Sequence, residues 1–214
     1  MKVATFIESG KMTVTEAPVP EIQKDTDAII KIVRACVCGS DLWWFRGISK
    51  REPNSYTGHE AIGIVETVGN AVTKVKSGDF VIVPFTHGCG KCTVCRAGFD
   101  GNCTNMEPGG NAGYQGEYLR FTNADWALIK TPGQPSDYSD DVLNSLLTLA
   151  DVMATGTEDF AKDLIVTQVE EMWTRQPFSQ DNLTLHISTG SSHDLLAVQE
   201  YLYNMLPTLF VKTN

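Results

Sequence analysis

No stretch of the 214 residues reaches the roughly eighteen uninterrupted apolar residues that a membrane-spanning helix requires, so the sequence predicts no membrane partner. Basic charge is also scarce. Seventeen Lys and Arg stand against 26 Asp and Glu, a net charge of −9. A surface with that balance repels phosphate backbones, which excludes nucleic acid as a partner. The first ten residues hold a single Lys and a short apolar run before Glu8, too little for the core of an export signal. Together these absences predict a soluble, cytoplasmic chain. No internal repeat or low-complexity segment occurs. The 42% hydrophobic and 20% charged fractions are ordinary for a folded domain with a buried core.

What is present divides into two patterns. Residues 3–7, 12–16, 28–37, 61–68, 72–75, 80–83, 118–121 and 126–129 are β-rich runs, separated by turn signals such as Ser9-Gly10, Gly58, Gly69, Ser77-Gly78-Asp79 and Pro84. Short strands at close spacing with Gly and Pro punctuation predict a mainly β fold, a small barrel or sandwich. A polar, Gly-rich stretch, 88–116, interrupts them. Beyond Pro135 the spacing becomes helical. Ser139 or Asp140 caps a helix whose apolar side is Val142, Leu143, Leu146, Leu149, Ala150 and Met153, with Gly156 as its stop. A second helix is predicted through Phe160, Leu164, Ile165, Val169, Met172 and Trp173, ended by Pro177. A strand at 183–187, an amphipathic helix at 194–205 and a last strand at 209–211 follow.

Six cysteines occur: Cys36, Cys38, Cys89, Cys92, Cys95 and Cys103. An even count is compatible with disulfides, but without an export signal a metal takes precedence. The strongest local pattern is Cys89-Gly-Lys-Cys92-Thr-Val-Cys95 with Cys103 eight residues on. Tetrahedral zinc takes four thiolates, and spacers this short let one loop turn its sulfurs inward. Four thiolates close the coordination shell, so this site is structural. The competing reading is disulfides or free thiols.

Two shorter motifs complete the picture: Cys36-Val-Cys38-Gly39-Ser40-Asp41 at a strand end, and Gly58-His59-Glu60 at a strand start. A catalytic zinc needs three protein ligands and one exchangeable position. A Cys, a His and a distant carboxylate meet that need.

In their order along the chain these motifs resemble the zinc-dependent medium-chain alcohol dehydrogenase family. The resemblance covers residues 1 to about 156 and includes Cys38-Gly-Ser-Asp41, Gly58-His59-Glu60, Val75-Lys-Ser-Gly-Asp79, the four-cysteine lobe, Gly116-Glu117-Tyr118 and the run from Leu147 to Gly156. It implies a GroES-like β-barrel catalytic domain over 1–156, with a structural zinc lobe at about 85–116. It implies two zinc ions, one held by Cys89, Cys92, Cys95 and Cys103, the other by Cys38, His59 and Asp151. Glu60 becomes a supporting or alternative ligand, and Ser40 the proton relay. Zinc lowers the pKa of its bound oxygen, so an alcohol can become the alkoxide that gives up hydride. The implied partners are a small alcohol or carbonyl substrate and NAD(P), and a homo-oligomer is left open. Cys36 matches no ligand position and is expected to be a packed core thiol. Trp43, Trp44 and Phe45 either line a substrate pocket or pack the barrel wall. His87 is expected at a surface or turn, not as a fifth ligand.

The family pattern breaks after Gly156. No Gly-x-Gly-x-x-Gly turn follows, and the 58 residues that remain are too few for a complete Rossmann domain. No cofactor-binding residues are therefore assigned. Residues 157–179 read as a helical remnant or linker, and 180–214 as a return segment that completes the catalytic domain, or else as foreign sequence. The expected function is that of an alcohol dehydrogenase catalytic domain, zinc-loaded but inactive alone. The alternative is a non-enzymatic zinc module or a partner of a full-length dehydrogenase.

Overall fold

The computed structural model describes residues 1–97, 99, 102–108 and 113–151. The expectations for the segments beyond Asp151 lie outside the described residues.

The predicted β-rich runs form most of the strands. β1 (Lys2–Glu8) pairs antiparallel with β2 (Lys11–Glu16) around the Ser9-Gly10 turn. β3 (Ala28–Ala35), β4 (Ser55–Tyr56), β5 (Ala61–Val68), β6 (Phe80–Val83), β9 (Tyr118–Phe121) and β10 (Ile129–Lys130) complete two antiparallel sheets, ordered β2-β1-β4 and β10-β6-β5-β3-β9. A separate two-stranded ribbon joins β7 (Thr86–His87) to β8 (Glu107–Pro108). It brackets the stretch that carries the cysteine lobe.

The period-two alternation of strands decides where each side chain goes. In β6 all four residues are buried, because both faces of the sheet are covered. Phe80 and Ile82 join one cluster with Leu143, Leu146, Leu147, Leu149 and Ala150 of the helical segment. Val81 and Val83 point the other way, into the barrel core with Ala28, Ile30, Ala61, Val65 and Phe121. The β3–β5 ladder is bent by register shifts between Ile29 and Ile30 and between Ile32 and Arg34. The second shift lies just before Cys36 and re-aims the chain that carries the Cys38 motif. Gly63 lets the strands approach there: a Cβ would sit 2.5 Å from Ile30 and 2.6 Å from the Lys31 carbonyl oxygen.

The predicted helix starts where expected but ends earlier, as α4 (Asp140–Thr148) with residues 149–151 in a turn rather than running to Gly156; the Ser139 hydroxyl accepts from the Val142 N–H. Arg34 of β3 donates to the Asn144 side chain at 2.6 Å and pairs with Asp140. Leu149 and Ala150 extend the last turn through N–H donation to Leu146 and Leu147. Asp151 follows at once, 7% exposed.

Two strand expectations fail. Residues 72–75 are a loop, because the N–H groups of Thr73 and Lys74 are taken by the Asp125 carboxylate at 2.7–3.0 Å instead of a ladder. Residues 126–129 split between α3 (Ala124–Ala127) and β10. Asn123, at φ 50°, turns the chain into that helix, and the indole of Trp126 lies against Gly90 of the cysteine lobe. His87 is also not a surface residue. It is fully buried, its Nδ1 donating to the Gly88 carbonyl at 2.9 Å and its Nε2 pairing with the Thr122 hydroxyl at 3.0 Å.

Candidate metal centres

The lobe is built by its own backbone. Cys92 caps α2 (Thr93–Arg96), its Sγ accepting from the Cys95 N–H at 3.4 Å. Cys89 Sγ accepts from Cys92 N–H, and Cys103 Sγ from the N–H groups of Cys89 and Asn105, all at 3.2–3.4 Å. Hydrogen bonds donated to sulfur favour the thiolate. Chiefly through the Cys95 N–H, the Cys92 thiol is drawn down to about 6. Cys89 is lowered too, chiefly by the Lys91 N–H. None of the six cysteines forms a disulfide in this structure. The four sulfurs of Cys89, Cys92, Cys95 and Cys103 lie within 4.8 Å of one another, with Cys92 and Cys103 3.9 Å apart. Zinc bonds of about 2.3 Å in a tetrahedron set sulfurs about 3.8 Å apart, so the donor set fits.

The second cluster draws on three distant segments. The strand end after β3 supplies Cys38, the chain entering β5 supplies His59 and Glu60, and the end of α4 supplies Asp151. One ligand atom from each lies within 4.8 Å of the others. His59 Nε2 is 3.4 Å from Asp151 Oδ2 and 3.5 Å from Glu60 Oε1, and Cys38 Sγ is 3.9 Å from Asp151 Oδ2. Tetrahedral zinc with nitrogen, oxygen and sulfur ligands places them about 3.3–3.8 Å apart. Ser40 Oγ lies 3.5 Å from His59 Nε2, at the rim of the cluster.

The site is electrically unbalanced without a cation. Asp41, Glu60 and Asp151 are all buried or nearly so around one imidazole. Burial lowers the His59 pKa, but hydrogen bonds to Asp151, Asp41 and Cys38 outweigh it and hold the ring at about 11. Burial raises Glu60, and its Oε1 is buried without a hydrogen bond among the described residues. A divalent cation would answer both the charge and the orphaned oxygen.

Two residues of this site carry no expectation from sequence. Asp41, in the first turn of α1 (Asp41–Phe45), lies with Oδ1 3.3 Å from His59 Nδ1. Its Oδ2 accepts the Cys38 N–H at 3.0 Å. With a cation bound in the cluster, that arrangement would keep the proton on Nδ1 and leave the Nε2 lone pair to the metal. Gln115 donates to the Cys36 carbonyl at 2.9 Å and to Asp41 Oδ2 at 3.4 Å, and accepts from the Thr57 hydroxyl at 2.7 Å. It ties the two motif loops together. The only sequence trace of either is Asp41's place in the Cys38-Gly-Ser-Asp41 run.

Cys36 is half-buried, and it packs beside the α4-facing cluster as a core thiol would. Beyond packing, it donates to Glu60 Oε2 at 3.2 Å. Trp44 packs the barrel wall, edge-on to Phe6 at 5.1 Å and beneath the Arg51 guanidinium. Trp43 is 58% exposed.

Comparisons with known proteins agree with this architecture. Residues 24–133 match the alcohol dehydrogenase GroES-like domain. Zinc-type alcohol dehydrogenase B of Aspergillus flavus is 36% identical over 160 residues, covering 73% of this chain and 36% of that protein. A zinc-type alcohol dehydrogenase-like protein of Bacillus subtilis is 36% identical over 171 residues, covering 73% of this chain and 44% of the relative. The chain thus spans under half the length of either. An alcohol dehydrogenase from Thermus sp. ATN1 superposes with a TM-score of 0.64 at 29% identity, over 72% of this chain and 44% of its own. With the GroES-like barrel, its cysteine lobe and these relatives together, the chain belongs to the zinc-type medium-chain alcohol dehydrogenase family.

Proposed function

We propose that Cys38, His59 and Asp151 hold a catalytic zinc, and that Cys89, Cys92, Cys95 and Cys103 hold a structural one. The observation that carries this reading is the meeting of Cys38, His59, Glu60 and Asp151, from three remote segments, at tetrahedral ligand spacing. In the catalytic site zinc supplies Lewis-acid polarisation of an alcohol or carbonyl oxygen. The chain's own groups prepare the site. Asp41 fixes the His59 tautomer, Glu60 stands as the alternative ligand, and the Ser40 hydroxyl passes a proton between the reacting oxygen and solvent.

The reaction of the whole family is interconversion of an alcohol and a carbonyl compound, with hydride passing to or from NAD(P). These 214 residues contain no glycine-rich dinucleotide turn, and we read the chain as inactive by itself. Elemental analysis after zinc-replete purification should give two zinc ions per chain. His59→Ala should lose one and keep the fold, whereas Cys95→Ser should lose the fold, because structural zinc affinity is folding free energy. One zinc or none in the unaltered chain would refute the assignment. Calorimetry with NADH should show no saturable binding up to about millimolar, and micromolar binding would refute inactivity for want of cofactor.

A further inference from the structure

The β3–β5 register pairs Ala35 with Ala61. Continued by one residue, it sets Cys36 against Glu60, and the two side chains meet: Cys36 Sγ donates to Glu60 Oε2 at 3.2 Å. The other oxygen, Oε1, is buried without a hydrogen bond among the described residues and lies 3.5 Å from His59 Nε2, inside the ligand cluster. Glu60 therefore has one oxygen tethered and one facing His59 Nε2 without a hydrogen bond of its own. Its backbone leads directly into β5 at Ala61, so the reach of the carboxylate depends on side-chain torsions that the thiol restrains.

We propose that Cys36 is a positioning residue whose thiol, by holding one oxygen of Glu60, sets how readily the other closes the exchangeable position of the metal centre. This rests on the reading that Cys38, His59 and Asp151 hold the metal. With the tether in place the carboxylate is restrained and an outside ligand can compete for the fourth position. Without it, a buried carboxylate that has lost its donor turns fully to the cation, because that is the remaining way to satisfy its charge.

Cobalt(II) is a suitable probe, since its visible bands report coordination. The full chain, loaded with two cobalt ions, should show a saturable spectral change on titration with imidazole. The tetrathiolate site has a closed shell and stays silent. Cys36→Ala should weaken imidazole binding about tenfold, the scale of one charge-assisted hydrogen bond. Cys36→Ser, which keeps a donor, should restore it. Cys36→Ala combined with Glu60→Gln should also restore it, because an amide competes poorly for the metal; a purely packing role for Cys36 would not be rescued in this way. If the chain loads two cobalt ions and Cys36→Ala binds imidazole like the unaltered protein, the proposal is wrong and the metal assignment stands. If Glu60→Gln fails to rescue, the thiol acts otherwise than through Glu60, which also overturns the proposal. A chain that takes up one cobalt or none removes the metal assignment and the proposal together.

Discussion

Replacing Asp41 by Asn changes one atom and sets a sharp test of the metal site. Three donors converge on the Asp41 carboxylate: the Cys38 N–H at 3.0 Å, Gln115 Nε2 at 3.4 Å and His59 Nδ1 at 3.3 Å. An amide offers a single oxygen. If that oxygen keeps the Cys38 N–H, the amide nitrogen faces His59 Nδ1. The ring must then accept there and carry its proton on Nε2, the atom that faces Glu60 and Asp151. Nε2 loses the lone pair a metal requires. If the oxygen turns to His59 instead, the amide nitrogen opposes the Cys38 N–H and distorts the loop that carries the sulfur ligand. Either way the cost falls on metal binding. Loss of such a supporting carboxylate weakens affinity about 10–100-fold, or roughly 1.4–2.7 kcal/mol. Competition against a chromophoric zinc chelator measures it, with the tetrathiolate lobe as control in the same molecule. We expect the Cys38–His59–Asp151 site to lose affinity and the lobe to keep it. Asp41→Asn with both affinities intact would refute the account of Asp41, and equal losses at both sites would show a global rather than a local effect.

Three further outcomes follow from packing and charge. Leu146 is fully buried between α4 and the sheet, so Leu146→Ala should cost about 2–5 kcal/mol in urea unfolding. It should also weaken the Asp151-containing metal site, which α4 delivers; an unchanged unfolding midpoint would contradict the packing. Gly90 has φ 69°, and a Cβ there would sit 2.7 Å from the Trp126 ring, so Gly90→Ala should destabilise by about 1–3 kcal/mol. Thermal melts should show that loss, with a change in tryptophan emission, and a wild-type melt would argue against the lobe resting on Trp126. Burial raises the Asp79 pKa, but the Lys130 contact at 2.8 Å and the Lys76 N–H outweigh it and hold the pKa below the ordinary value. A carboxyl lowered on folding contributes stability above its unfolded pKa of about 3.9, and that contribution is lost as pH falls through the folded value. Asp79→Asn should therefore flatten the acid limb of the stability curve, and an unaltered limb would assign the acid sensitivity elsewhere.

The sequence alone determined the elements whose signals are local. β5, β6 and β9 fall on the bounds that their apolar runs and turn residues set, and Ser139 begins α4 as its capping position predicts. The four-cysteine lobe was legible because its ligands lie within fifteen positions and its sulfurs are held by the N–H groups of the same loop. The meeting of Cys38, His59 and Asp151 was foreseeable only through a resemblance, since no spacing rule joins residues so far apart. Loop 72–75 was misread because β-branched residues are equally at home in a loop whose donors are taken by a side chain from residue 125, and pattern cannot see that partner. His87 was misread for the same reason: its burial depends on Thr122 and on the ribbon that folds it inward.

Only the tertiary structure decided the environment of the proposed metal site. Asp41, Gln115 and Cys36 act through contacts across 18, 74 and 24 positions, to His59, Asp41 and Glu60. Such contacts are fixed by sheet register and by the bend in β3, which no run of residue types encodes. A ligand's chemistry belongs to its side chain and can be read from the sequence. The tautomer it adopts, the charge around it and the oxygen left without a partner belong to the neighbours that the fold brings to it.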